Sequence, residues 1–469
     1  MAVARGPTDT VIALASGAGR AGVAVIRMSG PGSAALIRSL TRLPAPSGPD
    51  VSRETLTVPA FPKPRRAVVR QLHDEAGGFL DEALVLWMPA PHSYTGEDVA
   101  ELHVHGGPAV VEAVIGAALR TRLCRIAEPG EFTRRAYDAG RLDLTQAEAI
   151  SDLIDAETEG QRRQAGRLYQ GEAARVFEGW RGLLVSAMAA LEASIDFPDE
   201  ADIPGEIDLA ALEPIEALAV DLESALGDAG RLASVREGFR IAILGPPNAG
   251  KSSLMNRLAR REAAIVSPIA GTTRDVVEVR LVLSGYPVWV ADTAGLREAS
   301  DAIEAEGVRR ALARAEEADL RIWVTDASGA GSVSRETSSS FREGDLRVLN
   351  KADLLNGDSP SLAGAEDVFV VSARTGAGLD ALERRLAQIV RDQLEADEAP
   401  LITRARHREL VEEALAAVER ALEGARIGIG AELVSEDLRL AARALGRITG
   451  SIDAEDLLDR IFSQFCVGK

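Results

Sequence analysis

The spacing of apolar residues changes character along the chain. Up to about Leu123 they alternate or fall in short runs. Thr10–Leu14, Val23–Met28, Arg66–His73, Glu82–Met88 and Asp98–His105 read as strands, the first two separated by the turn SGAGRAG. Ser33–Leu40 and a segment opening at Gly107 and running through Leu119 read as helices, and Pro44–Pro49 as a loop. From about Phe132 to Leu232 the helical period dominates. Leu144–Glu157 and Gln161–Asp196 carry apolar residues three and four apart, and Pro198, Pro204 and Pro214 punctuate the region. After Phe239 strands, loops and helices alternate to about Val390. Helical spacing then returns in Leu410–Leu422, Ser435–Leu445 and Ala454–Phe465.

Helices on both sides of an α/β block describe an insertion. The expected fold is multi-domain: an α+β domain over 1–123 with a small mixed sheet or barrel, an all-α domain in two segments, 124–235 and 397–469, and an inserted α/β block over 236–396. A chain of 469 residues accommodates this at roughly 100–200 residues per domain. Gly329–Ser340 is the most loop-like stretch.

Composition narrows the class. At 46% hydrophobic the chain can fill several cores, yet no apolar run approaches the ~18–20 residues of a membrane span. The N-terminal stretch lacks the pattern of a signal peptide. Cys124 and Cys466 are too few and too distant for a disulfide framework. The expectation is a cytoplasmic protein without membrane contact. A net charge of −19 weighs against broad RNA binding by this chain alone. Only four of the 53 basic residues are lysines, at 63, 251, 351 and 469. A chain that otherwise uses arginine keeps lysine where a compact ammonium on a flexible stem has a use.

Two of those lysines fall in recognisable chemistry. The apolar strand Phe239–Leu244 runs into Gly245-Pro-Pro-Asn-Ala-Gly-Lys-Ser252, and a helical pattern follows. This is a phosphate loop in its required strand-to-helix setting. Backbone N–H groups and the helix N-terminus favour phosphate oxygens there. Gly245, Asn248, Ala249, Gly250, Lys251, Ser252 and Ser253 are the candidate phosphate contacts, with Lys251 reaching the β/γ-phosphates and Ser252 on Mg²⁺. Four further pieces follow in order. Ser267, Ile269, Ala270, Gly271, Thr272 and Thr273 form a stretch in which Thr273 completes the Mg²⁺ shell. The strand pair Val276–Leu283 and Val288–Ala291, turning at Ser284–Pro287, ends in Asp292-Thr293-Ala294-Gly295, where the Asp holds Mg²⁺ through water and the Gly N–H senses the γ-phosphate. The strand Leu346–Leu349 ends in Asn350-Lys351-Ala352-Asp353, in which Asn350 supports the loop and base edge and the stem of Lys351 lies along the ring. A carboxylate accepts from guanine N1–H and its exocyclic amine, and adenine offers neither donor, so Asp353 argues for GTP. The strand Val368–Val371 ends in Ser372-Ala373-Arg374, whose backbone suits the guanine oxygen.

Beyond these motifs, GRAGVAVIRMSG, SYTGEDVAEL, HGGP, EPGEFTRRAY, LDLTQAEAISDLIDA and the terminal FCVGK resemble the bacterial MnmE (TrmE) family of tRNA uridine-modification GTPases across nearly the whole chain. Val467 stands where the family tail more often has Ile, and Arg141 where it usually has Lys. The resemblance implies a homodimer joined through tetrahydrofolate-binding-like N-terminal domains. It also implies a flavoprotein partner, MnmG (GidA), in a heterotetramer or larger assembly, and modification of C5 of the wobble uridine of certain tRNAs to the carboxymethylaminomethyl or aminomethyl form. By position it implies 5-formyltetrahydrofolate or a related one-carbon folate at Arg27, Glu101 and Arg141 with Lys469 nearby, K⁺ held by Asn248, Ser267, Ile269 and Thr272, and Glu304 orienting the hydrolytic water through a second water. Leu296 follows the DTAG motif where many GTPases have a water-orienting glutamine, which gives the cation and Glu304 their physical motive. It also brings Cys466 near the modification chemistry.

Other residues have plainer readings. A free cysteine is usually a small buried hydrophobe, and Cys124 reads as packing. His103 and His105 alternate on one strand without a third ligand at metal spacing, which favours a structural role over zinc. Arg120, Arg122 and Arg125, and Arg404, Arg406 and Arg408, are local arginine clusters that can contact tRNA. The competing functional class is an RNA-binding assembly GTPase without modification chemistry, but no basic appendage supports it. The intact phosphate loop and NKAD motif contradict a vestigial nucleotide domain.

Overall fold

The computed structural model describes residues 9–42, 61–196, 212–246, 248–261, 278–292, 316, 318–329, 344–355, 367–395, 401–452, 455–463 and 465–468. Contacts group the chain into two units, one of 1–151 with 446–469 and one of 152–445. The pattern of the sequence divides it into four segments.

The first unit is built on a six-stranded sheet. Its strands are β1 (Val11–Leu14), β2 (Ala21–Ser29), β3 (Val68–His73), β4 (Phe79–Met88), β5 (Val99–Gly106) and β6 (Arg125–Ile126), in the order β3-β4-β5-β2-β1-β6. Only the β1–β6 pair is parallel. Helices α1 (Ser33–Leu40) and α2 (Pro108–Arg120) pack on a core that includes Ile12, Ile26, Met28, Leu36, Leu72, Val85 and Leu102. Each such side chain stabilises the fold by about 1.5–3 kcal/mol on burial. Pro108 begins α2 because its fixed φ suits the first helical turn, where no N–H partner is needed. Cys124 packs against this core, and burial pushes its thiol up to about 11. The alternation of β2 and β5 puts Arg27 and Glu101, which are register partners, on the other face. There, Val11 and Ala13 meet Phe132 of α3 (Glu131–Asp138).

Helix α4 (Leu144–Asp155) starts in this unit. Its Leu144 and Ala147 cluster with Leu458, Phe462 and Phe465 from the C-terminal end of the chain. Gly130 N–H donates to the Cys466 carbonyl (3.5 Å), and Val467 forms a bridge with Pro129.

In the second unit Gln161–Asp196 is not one helix. It divides into α5 (Glu159–Tyr169) and α6 (Glu172–Asp196), because Gly171 takes a left-handed φ of +77 that no continuous helix holds. Thr158 and Gln161 form a reciprocal capping box that starts α5. Helix α7 (Glu213–Glu237), with Pro214 in its first turn, leads into a second sheet. Its strands are β7 (Phe239–Leu244), β8 (Glu278–Leu283), β9 (Tyr286–Asp292), β10 (Leu320–Asp326), β11 (Leu346–Asn350) and β12 (Val368–Val370), in the order β12-β11-β10-β7-β9-β8. All pairs are parallel except β8–β9.

Helices α8 (Lys251–Arg261) and α9 (Leu379–Leu394) flank this sheet, and α10 (Ala405–Arg426) and α11 (Ala431–Thr449) return the chain to helical structure before α12 (Glu455–Phe462). The β8–β9 turn is tighter than Ser284–Pro287. Ser284 and Gly285 both have positive φ, as a two-residue hairpin needs, and Tyr286 and Pro287 already belong to β9. Pro287 is tolerated because it pairs with Val282 one step beyond the turn-closing pair, where an antiparallel ladder needs no N–H.

Strand β10 does not stand out by periodicity. It carries Arg321 inside an apolar run, and the guanidinium is buried against Asp345 (Nε to Oδ1, 2.9 Å). The start of α5 docks on the β8–β9 hairpin: Gly160 N–H donates to the Gly285 carbonyl at 2.8 Å. Arg280 of β8 pairs with Glu157 and lies 5.2 Å from the Trp289 ring, whose indole N–H donates to the Glu237 carbonyl at 2.9 Å. Asp152 accepts from both Arg236 (3.1 Å) and Arg404 (2.7 Å), tying three segments distant in sequence.

Candidate functional site

The loop after β7 places Lys251 at the first position of α8. Its side chain is buried, and Nζ donates to the carbonyls of Gly245 (2.8 Å) and Pro246 (3.0 Å). Asn248 has φ +63, a conformation asparagine accepts more readily than most residues. Ala249 is buried, while Ser252 and Ser253 are exposed at the start of α8. Asp292 is the last residue of β9, in register with Ile243 of β7. Both therefore stand at the C-terminal edge of a parallel pair, where ligands of open α/β sheets bind.

Asn350 joins the loop to the segments after β11 and β12. It is 2% exposed. Its Nδ2 donates to the Ala249 carbonyl at 2.9 Å, and its Oδ1 accepts from Ala373 N–H at 3.0 Å. A side chain on Gly250 would collide with the Asn350 amide. Ala352 N–H donates to the Val371 carbonyl (3.0 Å), so the NKAD and SAR segments lie against each other. The Asp353 carboxyl accepts from Ser372 Oγ at 2.5 Å and lies 2.9 Å from Arg374 Nη2. The Ser372 hydroxyl, and then the nearby cations, hold it below the usual carboxylate range. A fixed, charged acceptor is what guanine's two edge donors require.

Two residues here, Asp326 and Ser328, belong to none of the sequence motifs. Lys351 has φ +64, and its Nζ lies 2.7 Å from Asp326 Oδ2. Asp326 in turn accepts from Ser328. The available signal is TDAS at the end of β10, a strand that apolar spacing does not single out. Ser267, Ile269, Ala270, Gly271, Thr272, Thr273, Thr293, Ala294, Gly295, Leu296, Glu304 and Lys469 lie outside the described residues, as does most of Gly329–Ser340.

In the first unit Arg27 Nε donates to Glu101 Oε1 at 2.9 Å, and its guanidinium lies over the rings of Tyr94 (5.4 Å) and Phe132 (5.8 Å). Glu101 Oε2 is also 3.2 Å from His103 Nε2. Arg141 donates to the Pro91 carbonyl at 2.9 Å, at the start of the loop that carries Tyr94. Cys466 is exposed, and Gly468 is packed against the Leu14 carbonyl. Leu14 pairs with Ile26, next to Arg27, so the tail and the Arg27–Glu101 pair share one neighbourhood of the sheet.

His105 pairs with Asp81 instead (Nδ1 to Oδ1, 2.7 Å), so the two histidines serve different carboxylates. No group of three or more potential metal ligands occurs among the described residues. Several of the clustered arginines have partners within the chain. Arg125 binds Asp9 and Glu131, Arg404 binds Asp152, Arg408 binds Glu412, and Arg406 lies 3.1 Å from His407.

The family model described as MnmE helical domain matches residues 144–466, and that described as GTP-binding protein TrmE N-terminus matches 10–141. The tRNA modification GTPase MnmE of Maricaulis maris is 51% identical over 461 residues, covering 98% of this chain and 99% of its own. The chain belongs to the MnmE family. That of Parvibaculum lavamentivorans is 53% identical over 463 residues, covering 98% of this chain and 100% of its own. Among solved structures, Aquifex aeolicus Era bound to GDP and aluminium fluoride aligns with 39% of this chain and 66% of its own, at 26% identity and a TM-score of 0.27. As a member of the MnmE family the chain is a tRNA modification GTPase. Among the described residues no helix is long and apolar enough to cross a membrane.

Proposed function

We propose that GTP hydrolysis by this chain drives modification of C5 of the wobble uridine of certain tRNAs to the carboxymethylaminomethyl or aminomethyl form. In this reading it works as a cytoplasmic homodimer with a flavoprotein partner of the MnmG (GidA) kind. Residues 236–396 are the GTP-binding block, inserted into a helical domain. The observation that carries the GTP part is the Asn350 side chain. It binds Ala249 and Ala373 at once, and so gathers the phosphate loop, NKAD and SAR segments at one sheet edge. About 50% identity over the full length to tRNA modification GTPases supports the rest.

In detail, the loop from Gly245 to Ser253 cradles the phosphates and Asp353 reads the guanine edge. Ser252 and Thr273 would hold Mg²⁺, which when bound neutralises phosphate charge. Asn248, Ser267, Ile269 and Thr272 would hold K⁺, and Glu304 would orient water. Asn248 stands in that loop, and its amide oxygen is the kind of donor a hard cation takes. In the first unit Arg27, Glu101 and Arg141, with Lys469, would hold a one-carbon folate. A guanidinium fixed over two rings beside a carboxylate acceptor fits the anionic and hydrogen-bonding ends of such a molecule. Cys466 and the tail then border the modification chemistry. The pairing of Arg125, Arg404 and Arg408 with carboxylates of the chain, together with the net charge of −19, weighs against a general RNA-binding switch.

The test is nucleoside analysis of tRNA from a strain lacking this protein. C5-modified wobble uridines should disappear, and return with the parent chain but not with Lys251→Ala. Unchanged wobble uridines would sink the reading.

A further inference from the structure

Asp326 closes β10 and is the register partner of Asn350 in parallel β11, which places it beside the residue preceding Lys351. The Lys351 ammonium lies 2.7 Å from Asp326 Oδ2, and each side chain is about one-third exposed. Asp326 is itself held. Its Oδ1 accepts from the Ser328 backbone N–H at 2.9 Å and from Ser328 Oγ at 2.6 Å. Carboxylate, hydroxyl and ammonium thus form a short chain of charge-assisted bonds at the edge of the candidate base site.

A lysine stem is flexible, and one that must lie flat along a purine ring loses rotamer freedom on binding unless its end is already anchored. We propose that Asp326 is a positioning residue of the guanine site, anchoring the Lys351 ammonium so that its methylene stem forms a fixed apolar shelf for the base, with Ser328 fixing the Asp326 rotamer. This rests on the GTP-binding reading of NKAD above.

The bonds from Lys351 and then Ser328 hold the Asp326 carboxyl at about 2, so the anchor is charged at every pH at which affinity is measured. The ordinary alternative is an exposed ion pair, which contributes little to folding. The two differ in what they change. A surface pair leaves nucleotide affinity alone, whereas an anchor is read in affinity and leaves stability nearly untouched. A shelf that touches the ring face also treats all purines alike, unlike Asp353, which reads the edge.

The experiment is fluorescence titration of the full chain with labelled GDP and IDP, alongside thermal midpoints and kcat at saturating GTP. Asp326→Asn should raise Kd about tenfold for both nucleotides in the same ratio, with kcat and thermal midpoint little changed. Ser328→Ala should shift Kd in the same direction by less. In a Lys351→Met background, which keeps the stem and removes the ammonium, Asp326→Asn should change Kd less than twofold. An Asp326→Asn Kd within twofold of the parent overturns the proposal. So does an equal loss in the Lys351→Met background, or a loss of affinity only in step with a lowered thermal midpoint. If Asp326→Asn fails to fold, unchanged affinity in Ser328→Ala overturns it instead. A parent chain that binds neither GDP nor GTP would refute the nucleotide reading itself.

Discussion

Gly160→Ala is a perturbation whose sign is decided by tertiary structure. Gly160 is the second residue of α5, after the Thr158 cap. Considered only as a helix position, alanine there should stabilise by about 0.4–1 kcal/mol, because it reduces the freedom of the unfolded chain. The fold reverses this. A Cβ on Gly160 would stand 2.5 Å from Tyr286 Cδ1, 2.6 Å from Cε1 and 3.0 Å from the Gly285 carbonyl oxygen. The ring is 7% exposed in the core of the second sheet, so it cannot swing clear into solvent.

Overpacking of this kind costs about 1–3 kcal/mol. The strain should fall on the docking of α5 against the β8–β9 hairpin. Local opening there should therefore rise by roughly 5- to 150-fold. The assay is hydrogen exchange followed by mass spectrometry on peptides spanning 157–169 and 280–291 of the full chain. It reads local opening without assuming one global transition. Tyr286→Ala removes the obstructing ring, and in that background Gly160→Ala should cost about 1 kcal/mol less or become stabilising. Unchanged or slower exchange in the single Gly160→Ala variant would refute the argument that this glycine is required by the hairpin.

Three further outcomes are expected. Asp353→Asn should lower GTP affinity and favour xanthosine triphosphate, whose exocyclic oxygen in place of guanine's amino group an amide can donate to; nucleotide titration checks it, and equal GTP binding by both chains would count against base reading. GTP hydrolysis should be much faster in potassium than in sodium at equal ionic strength, with Asn248→Ala removing the difference; equal rates in both salts would end the cation reading. Cys466, which is exposed, should be alkylated far faster than Cys124 at pH 8. Burial raises the Cys124 thiol to about 11, so its thiolate fraction stays small until the pH nears that value; comparable rates at pH 8, measured by mass spectrometry, would contradict the packing at this site.

The local order of the chemistry is legible in the sequence alone. A phosphate loop is local by nature: its glycines, lysine and serine act through backbone N–H groups within one turn and one helix start, so eight consecutive residues carry nearly the whole instruction. The same holds for strands such as Phe239–Leu244 and helices such as Ser33–Leu40, whose apolar period is set by the partner they must face.

What the sequence leaves open depends on contacts between distant segments. Strand β10 hides because its charged Arg321 becomes tolerable only when Asp345, 24 residues later, neutralises it. The break at Gly171 needs a left-handed residue, and periodicity alone runs straight through it. Asp326 becomes an anchor for Lys351 only because two parallel strands bring residues 25 apart to 2.7 Å. Arg125 and Arg404 look like free positive charge in one dimension, and only the fold supplies Asp9, Glu131 and Asp152 as their partners. Hydrophobic period and backbone chemistry act over a few residues and can be read along the chain. Charge neutralisation and side-chain anchoring act through space, so the tertiary structure alone decides them.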